Sequence, residues 1–307
     1  MSTATKVLIV FCEGPHDIAF VGKVMRHCLG FEKVGWKFSE YPSPLDKLFR
    51  TSVERHAQQD LSLDMAHKFF LPDAVFEREN HVVLLFNSGG KTQADKVSTL
   101  LSELLDFLEL AESATYDENP LFIGEARYLF LYDADDWGLD KTCQKAQEWF
   151  TQIGDRVWLE TEWQVDENYP FAAMNGSSKA LYVWGETPDK GTLEDWLYPL
   201  FRQKDSALIE QAEKAVDGMF TWEVSHTNSE QAVAETSKRQ KAILTLAGQR
   251  EKPGSSMSVV LDQAKKRISK SHFKSDANVQ AFAAFVSQFA QFDDAQPLTS
   301  PDVGRDV

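Results

Sequence analysis

Three short apolar runs constrain this chain most: KVLIVFC at 6–12, HVVLLF at 81–86 and ARYLFLY at 126–132. Each is rich in β-branched or aromatic residues and too short for a buried helix. A strand that is apolar on consecutive residues must be covered on both faces, which is the signature of a parallel sheet. Each run ends in a turn (Gly14-Pro15, NSGGKT at 87–92, and Asp133-Ala134-Asp135-Asp136) and then gives way to helical spacing. After the first turn, Ile18, Val21, Met25 and Leu29 recur on one helical face, with Asp17 placed to cap it. Helices are likewise expected over 93–110 and 139–153. Repeated strand–turn–helix units predict an α/β fold, a parallel sheet flanked by helices.

The remaining segments are assigned around that frame. RVWLETE (156–162) and KALYVWG (179–185) are further strand candidates. Residues 32–80 read as an inserted helical subdomain, with helices near 45–58 and 61–70. The α/β domain is thus expected over 1–190, followed by a helical C-terminal part over 191–292. The spacing there predicts helices at 191–202, 204–217, 229–248, 257–270 and 276–292. The polar, proline-containing tail 293–307 is expected to be disordered.

Composition narrows the function classes. The 307 residues are 43% hydrophobic and 26% charged, as in globular domains. No run reaches the length of a membrane span, and the apolar opening is too short for a signal peptide. Three scattered cysteines, Cys12, Cys28 and Cys143, suit a reducing cytoplasm rather than a disulfide framework. The net charge of −15 argues against a protein that coats nucleic acid. Yet residues 238–274 carry ten Lys or Arg against two acids, and residues 103–136 carry ten acids against one Arg. One acidic and one basic segment suit a site that holds cations and also attracts an anion.

Ligands of open parallel sheets bind beyond the carboxyl ends of the strands. The first strand ends in Glu13-Gly14-Pro15-His16-Asp17 and the third in Asp133-Ala134-Asp135, so both acidic groups are expected at one sheet edge. Side-chain alternation would place Asp133 and Asp135 on one side. Converging hard oxygens with few neighbouring His or Cys favour Mg²⁺ or Mn²⁺ over zinc. A P-loop is excluded, because Leu85 stands where FNSGGKT would need a glycine. The Gly89-Gly90-Lys91 turn is still a candidate phosphate cradle. Trp137, Trp184 and Trp196 lie beside these motifs and read as core more readily than as stacking platforms.

An apolar strand ending in Glu-Gly-x-x-Asp, followed by one ending in Asp-x-Asp, resembles the Toprim domain. The resemblance includes the overcoming-lysogenisation-defect nucleases. GTLEDWLYPLF at 191–201 looks like a Gly-x-Leu-Glu motif of the stand-alone Toprim proteins known as the DUF3226 group. The resemblance spans residues 6–292 and leaves 32–80 without a counterpart. It implies a metal-dependent nuclease acting on DNA or RNA with two ions of Mg²⁺ or Mn²⁺. Glu13, Asp133 and Asp135 would hold the first ion, and Asp17 and Glu194 are candidates for the second. Glu13 would also serve catalysis, and Lys241 would stabilise charge on the phosphate. Gly89, Gly90 and Lys91 would bind the nucleic acid; separately, its charge predicts that the basic stretch 238–274, with Lys265, Lys266 and Arg267, contacts the phosphate backbone. The resemblance further implies a defence or repair setting and a separate ATPase partner; the oligomeric state is left open, a homo-oligomer included. A non-catalytic Toprim module that binds nucleic acid or a protein partner is the alternative.

Overall fold

The computed structural model describes residues 5–57, 71–113, 123–222, 229–262 and 267–292. The chain opens with β1 (Thr5–Cys12) and α1 (Pro15–His27), then β2 (Glu32–Val34), α2 (Leu45–Ala57), β3 (Ala74–Arg78) and β4 (His81–Asn87). It continues through α3 (Ala94–Ser113), β5 (Ile123–Asp133), α4 (Gly138–Phe150), β6 (Gln152–Ile153), β7 (Arg156–Val157), β8 (Gln164–Val165), β9 (Ala172–Asn175) and β10 (Lys179–Trp184). The C-terminal helices are α5 (Glu194–Lys204), α6 (Ser206–Met219), α7 (Ser229–Gln249), α8 (Met257–Asp262), α9 (Lys270–Ser275) and α10 (Ala277–Phe289).

The three apolar runs form the middle of one sheet, in the order β2-β3-β4-β1-β5-β10-β9-β8. β4, β1, β5 and β10 run parallel. The outer strands pair antiparallel on both sides, so the sheet is mixed. Helices cover both faces, as fully apolar strands require. On one face Leu8, Val10 and Cys12 pack with α1 and with Trp196, Phe282 and Phe285 of the C-terminal helices. On the other, Val7, Ile9 and Phe11 pack with α2, α3 and α4. Phe11 stacks between Phe86 and Phe130 at centroid distances of 5.8 and 5.2 Å. Residues 191–292 therefore share a core with the sheet. Among the described residues no helix is long and apolar enough to cross a membrane.

Several expectations are corrected. Asp17 caps α1 from the third helical position rather than as the N-cap. Gly14 is the N-cap and Pro15 the first helical residue, while Asp17 sits one turn in and accepts the Gly14 N–H at 2.7 Å. The segment 32–80 is not a helical insertion alone, because β2 and β3 extend the sheet beyond β4. The helix expected at 61–70 and the tail at 293–307 lie outside the described residues. RVWLETE does not join the sheet. Only Arg156–Val157 is strand, paired with Gln152–Ile153 in a separate hairpin. Its aromatic character is spent differently: Trp158 packs edge-on against Tyr128 and Phe130 on the sheet's face. The helix expected at 257–270 is two elements, α8 and α9, with residues 263–266 between them outside the described set.

Arg78 fastens the end of the described chain to the sheet. Its guanidinium donates to the Leu29 and Phe292 carbonyls at 2.7 and 3.1 Å and faces the Phe31 ring at 4.9 Å. Charged donors to carbonyls contribute about 1.5–3 kcal/mol each before screening. Arg78→Met is therefore expected to cost about 2 kcal/mol in urea unfolding. Arg78→Lys should recover less than half, since an ammonium cannot fork. A loss below 0.5 kcal/mol would contradict this account.

Candidate functional site

Strand register assembles the site. Cys12 lies level with Asn87 and with Leu131, so Glu13, the Ser88–Lys91 turn and Asp133 leave the sheet at one edge. The Asp133 N–H donates to Glu13 Oε2 at 3.0 Å, which ties the first motif to the second. The Leu193 N–H donates to Asp133 Oδ1 at 2.8 Å, which brings in the 191–194 segment. Glu194, at the start of α5, is 1% exposed. Its carboxylate lies 3.5 Å from Lys241 Nζ and accepts from Ser237 Oγ at 3.3 Å, with His16 Nδ1 at 4.0 Å. Thus Glu13, Asp17, Asp133, Glu194 and Lys241 are brought together from 229 residues of sequence.

Two glycines make the approach feasible. At Gly90, φ is +87°, and a Cβ there would stand 3.2 Å from Glu13 Oε1. At Gly191, φ is +111°, and a Cβ would stand 2.4 Å from Asp195 Oδ2. Both positions have left-handed backbone; at Gly191 there is no room for a Cβ, and at Gly90 the Glu13 carboxylate would have to shift to admit one. The Gly89-Gly90-Lys91 turn, expected to cradle phosphate, is thus packed onto the Glu13 carboxylate.

Asp135 is placed differently from the alternation argument. β5 ends at Asp133, and Asp135 lies beyond it with φ +51°, bridged to Gly191 through two backbone hydrogen bonds of 2.7 and 2.8 Å. Its carboxylate pairs with Lys91 Nζ at 2.6 Å, and the same ammonium donates to the Asp133 carbonyl at 2.6 Å. Lys91 is therefore a cation inside the acidic cluster, lying 4.9 Å from the Trp137 ring. Trp184 and Trp196 are core side chains, 0% and 3% exposed.

The electrostatics follow from burying so many acids together. Burial and the neighbouring Glu13 charge push the Asp17 carboxyl up to about 7. Asp133 is held well above the usual carboxylate range by burial, with Asp17, Glu13 and Glu194 adding to the effect. Burial also raises Glu13, against the opposing Lys91 charge. Burial alone would lower Lys241, but Glu194, Asp133 and Asp17 outweigh it and keep the ammonium charged. Burial lowers His16 in spite of Glu194, so its imidazole is neutral at pH 7.

This donor set suits a hard divalent cation in chemistry: all oxygen, mostly buried, and short of positive charge. In arrangement it is not closed on a common point. No group of three or more His, Cys, Asp or Glu side chains among the described residues is arranged to hold a metal ion. The reason is visible, since Glu13 and Asp133 oxygens are turned onto N–H groups and the Asp135 carboxylate is turned onto Lys91.

The basic stretch is only partly a surface. Arg267 is 7% exposed and pairs with Glu251 and with Asp205, the latter at 3.6 Å, so it offers no free face to a phosphate backbone. Lys265 and Lys266 lie outside the described residues. Ser237 and Thr192 were not anticipated. Thr192 Oγ1 donates to Ser237 Oγ at 3.4 Å, and Ser237 in turn to Glu194. Ser237 stands one helical turn before Lys241, a spacing that places both on one face of α7.

No protein-family model matches the chain, and no curated protein matches it. Among solved structures, a hypothetical protein from Pyrococcus horikoshii OT3 is similar over 94% of this chain and 97% of its own, at 15% identity and a TM-score of 0.47.

Proposed function

We propose that the chain is a metal-dependent phosphodiester hydrolase of Toprim type, acting on DNA or RNA. The observation that carries the reading is the buried, mutually repelling set Glu13, Asp17, Asp133 and Glu194 at the carboxyl ends of parallel strands. Carboxylates buried together with only Lys91 and Lys241 to offset them are costly unless they serve a charge that arrives with function. Glu13, Asp133 and Asp135 would hold one Mg²⁺ or Mn²⁺, and Asp17 and Glu194 a second. Ions bound there would lower the pKa of a coordinated water and offset charge on the phosphate.

The chain's own groups have separable roles. Ser237 and Lys241 hold the Glu194 carboxylate from one helical face. The Lys241 side chain is 40% exposed, and its ammonium would meet the substrate phosphate beside Glu194. Glu13, just beyond the end of β1, would accept the proton of the attacking water. A defence or repair setting and a separate ATPase belong to the same proposal, on the Toprim resemblance alone.

Two measurements test it. Purified protein is incubated with plasmid, single-stranded DNA and tRNA in Mg²⁺, Mn²⁺ or EDTA. Cleavage is expected with metal and none with EDTA, and no cleavage in any metal overturns the reading. Independently, millimolar Mn²⁺ is expected to raise the melting temperature by several degrees, because an ion that binds only the native state stabilises it by mass action. The rise should vanish in Asp133→Asn/Asp135→Asn. An equal rise in that double variant would place the ion elsewhere.

A further inference from the structure

Beside the acidic cluster, α6 and α7 leave a groove lined by Val216, Met219, Phe220, Ala242 and Leu246. Three of these are unusually open for large apolar residues: Met219 is 62% exposed, Phe220 55% and Leu246 36%. Exposed apolar area of this kind is unfavourable in a chain with no use for it. The groove is a fixed feature, because Arg239 and Asp217 clasp the two helices through paired hydrogen bonds of 2.8 and 2.7 Å. Trp222 backs the Phe220 ring at a centroid distance of 5.8 Å.

One residue belongs to both features. Lys241 lines the groove, and its ammonium lies 3.5 Å from Glu194 in the acidic cluster. An apolar wall carrying an exposed aromatic ring, lined in part by a lysine whose ammonium reaches Glu194 of the neighbouring cluster, matches the two halves of a nucleotide. The ring takes a base face and the ammonium takes a phosphate. A base inside a duplex cannot present its face in this way, since its neighbours already cover it.

We propose that this groove is a nucleobase subsite and that the candidate site takes single-stranded nucleic acid, with a base stacked on Phe220 and the adjoining phosphate at Lys241. The inference rests on the phosphodiesterase reading for the phosphate, but the base contact is measured without cleavage. Every polymer nucleotide offers the same π-face, so DNA and RNA strands both fit the groove.

The test is equilibrium binding of fluorescein-labelled single strands of about twelve nucleotides, DNA and RNA, in EDTA. A duplex of the same length is the comparison. Wild type should bind the single strands more tightly than the duplex. Phe220→Ala should weaken single-strand binding by about tenfold or more, the worth of one stacked base. Phe220→Trp should retain it, and duplex affinity should move less than twofold. Because Phe220 is largely exposed, its truncation leaves the core in place, and an unchanged melting temperature verifies this. The inference is overturned by unchanged single-strand affinity in Phe220→Ala, by preference for the duplex, or by failure of wild type to bind any strand. Conversion of a dimer to monomers by Phe220→Ala, with oligonucleotide affinity unchanged, overturns it in favour of a second copy of this chain. The phosphodiesterase reading fails separately. If Phe220→Ala loses single-strand binding but wild type cleaves nothing in Mg²⁺ or Mn²⁺, the subsite stands and the hydrolase does not.

Discussion

Glu13→Gln is expected to reduce Mn²⁺-dependent cleavage by about 10²-fold or more while leaving the fold intact. Glu13 directly follows β1 at a glycine-proline turn, and its carboxylate accepts the Asp133 N–H. Glutamine keeps an oxygen for that N–H and loses the charge and the proton affinity. The folded protein tolerates this, because burial already raises the proton affinity of Glu13 and its charge raises that of Asp17 and Asp133. Stability in EDTA near pH 8 should therefore hold within about 1 kcal/mol or rise, as removal of a like charge from a crowded site does. Single-strand binding in EDTA should also persist. A variant that folds normally and cleaves at the wild-type rate would remove Glu13 from the chemistry. A variant that fails to fold would instead give its carboxylate a structural role, through the Asp133 N–H.

The middle of the sheet was legible because β1, β4 and β5 are apolar on consecutive residues, a pattern with one stable burial. Their register then placed Glu13 and Asp133 together with no further information. The edge strands were not legible. β2, β8 and β9 are two to four residues long, and β2 and β8 carry exposed residues that encode no alternation. Their pairing is fixed by distant partners instead. The Trp158 and Trp163 segment misled for a related reason, since aromatic residues bury as well in a loop against Phe130 as in a strand. At the site, residue type found the acids but not their supports. Ser237 is one helical turn from Lys241, yet only the packing of α7 shows which face turns toward Glu194. Charge counting misread Arg267, because a guanidinium between Glu251 and Asp205 contributes to a sequence total and not to a surface.

Stability should fall with rising pH across the neutral range when metal is absent. Asp17 is buried, and its carboxyl is pushed from an ordinary 3.8 up to about 7 by burial and by Glu13. Between those values the native state holds a proton that the unfolded chain has released. The associated stability is therefore complete below about pH 4 and is lost as pH rises through about 7. For Asp17 alone the loss is on the order of 4 kcal/mol. Glu13 and Asp133 are shifted in the same direction. Urea midpoints in EDTA should thus drop between about pH 5 and about pH 8. Asp17→Asn retains an oxygen for the Gly14 N–H, which donates to the Asp17 carboxylate at 2.7 Å. It should flatten the slope and be the more stable protein at the alkaline end. Mn²⁺ should flatten the wild-type slope as well, since a cation among the carboxylates favours their ionised form. Two results would count against the crowded-carboxylate account: a wild-type midpoint that rises over this range, or an Asp17→Asn slope equal to that of wild type. If Asp17→Asn flattens the slope but Mn²⁺ does not, the acids are crowded without holding a metal. The same carboxylates would then bind a cationic group of a partner, and the non-catalytic reading of the site would take precedence.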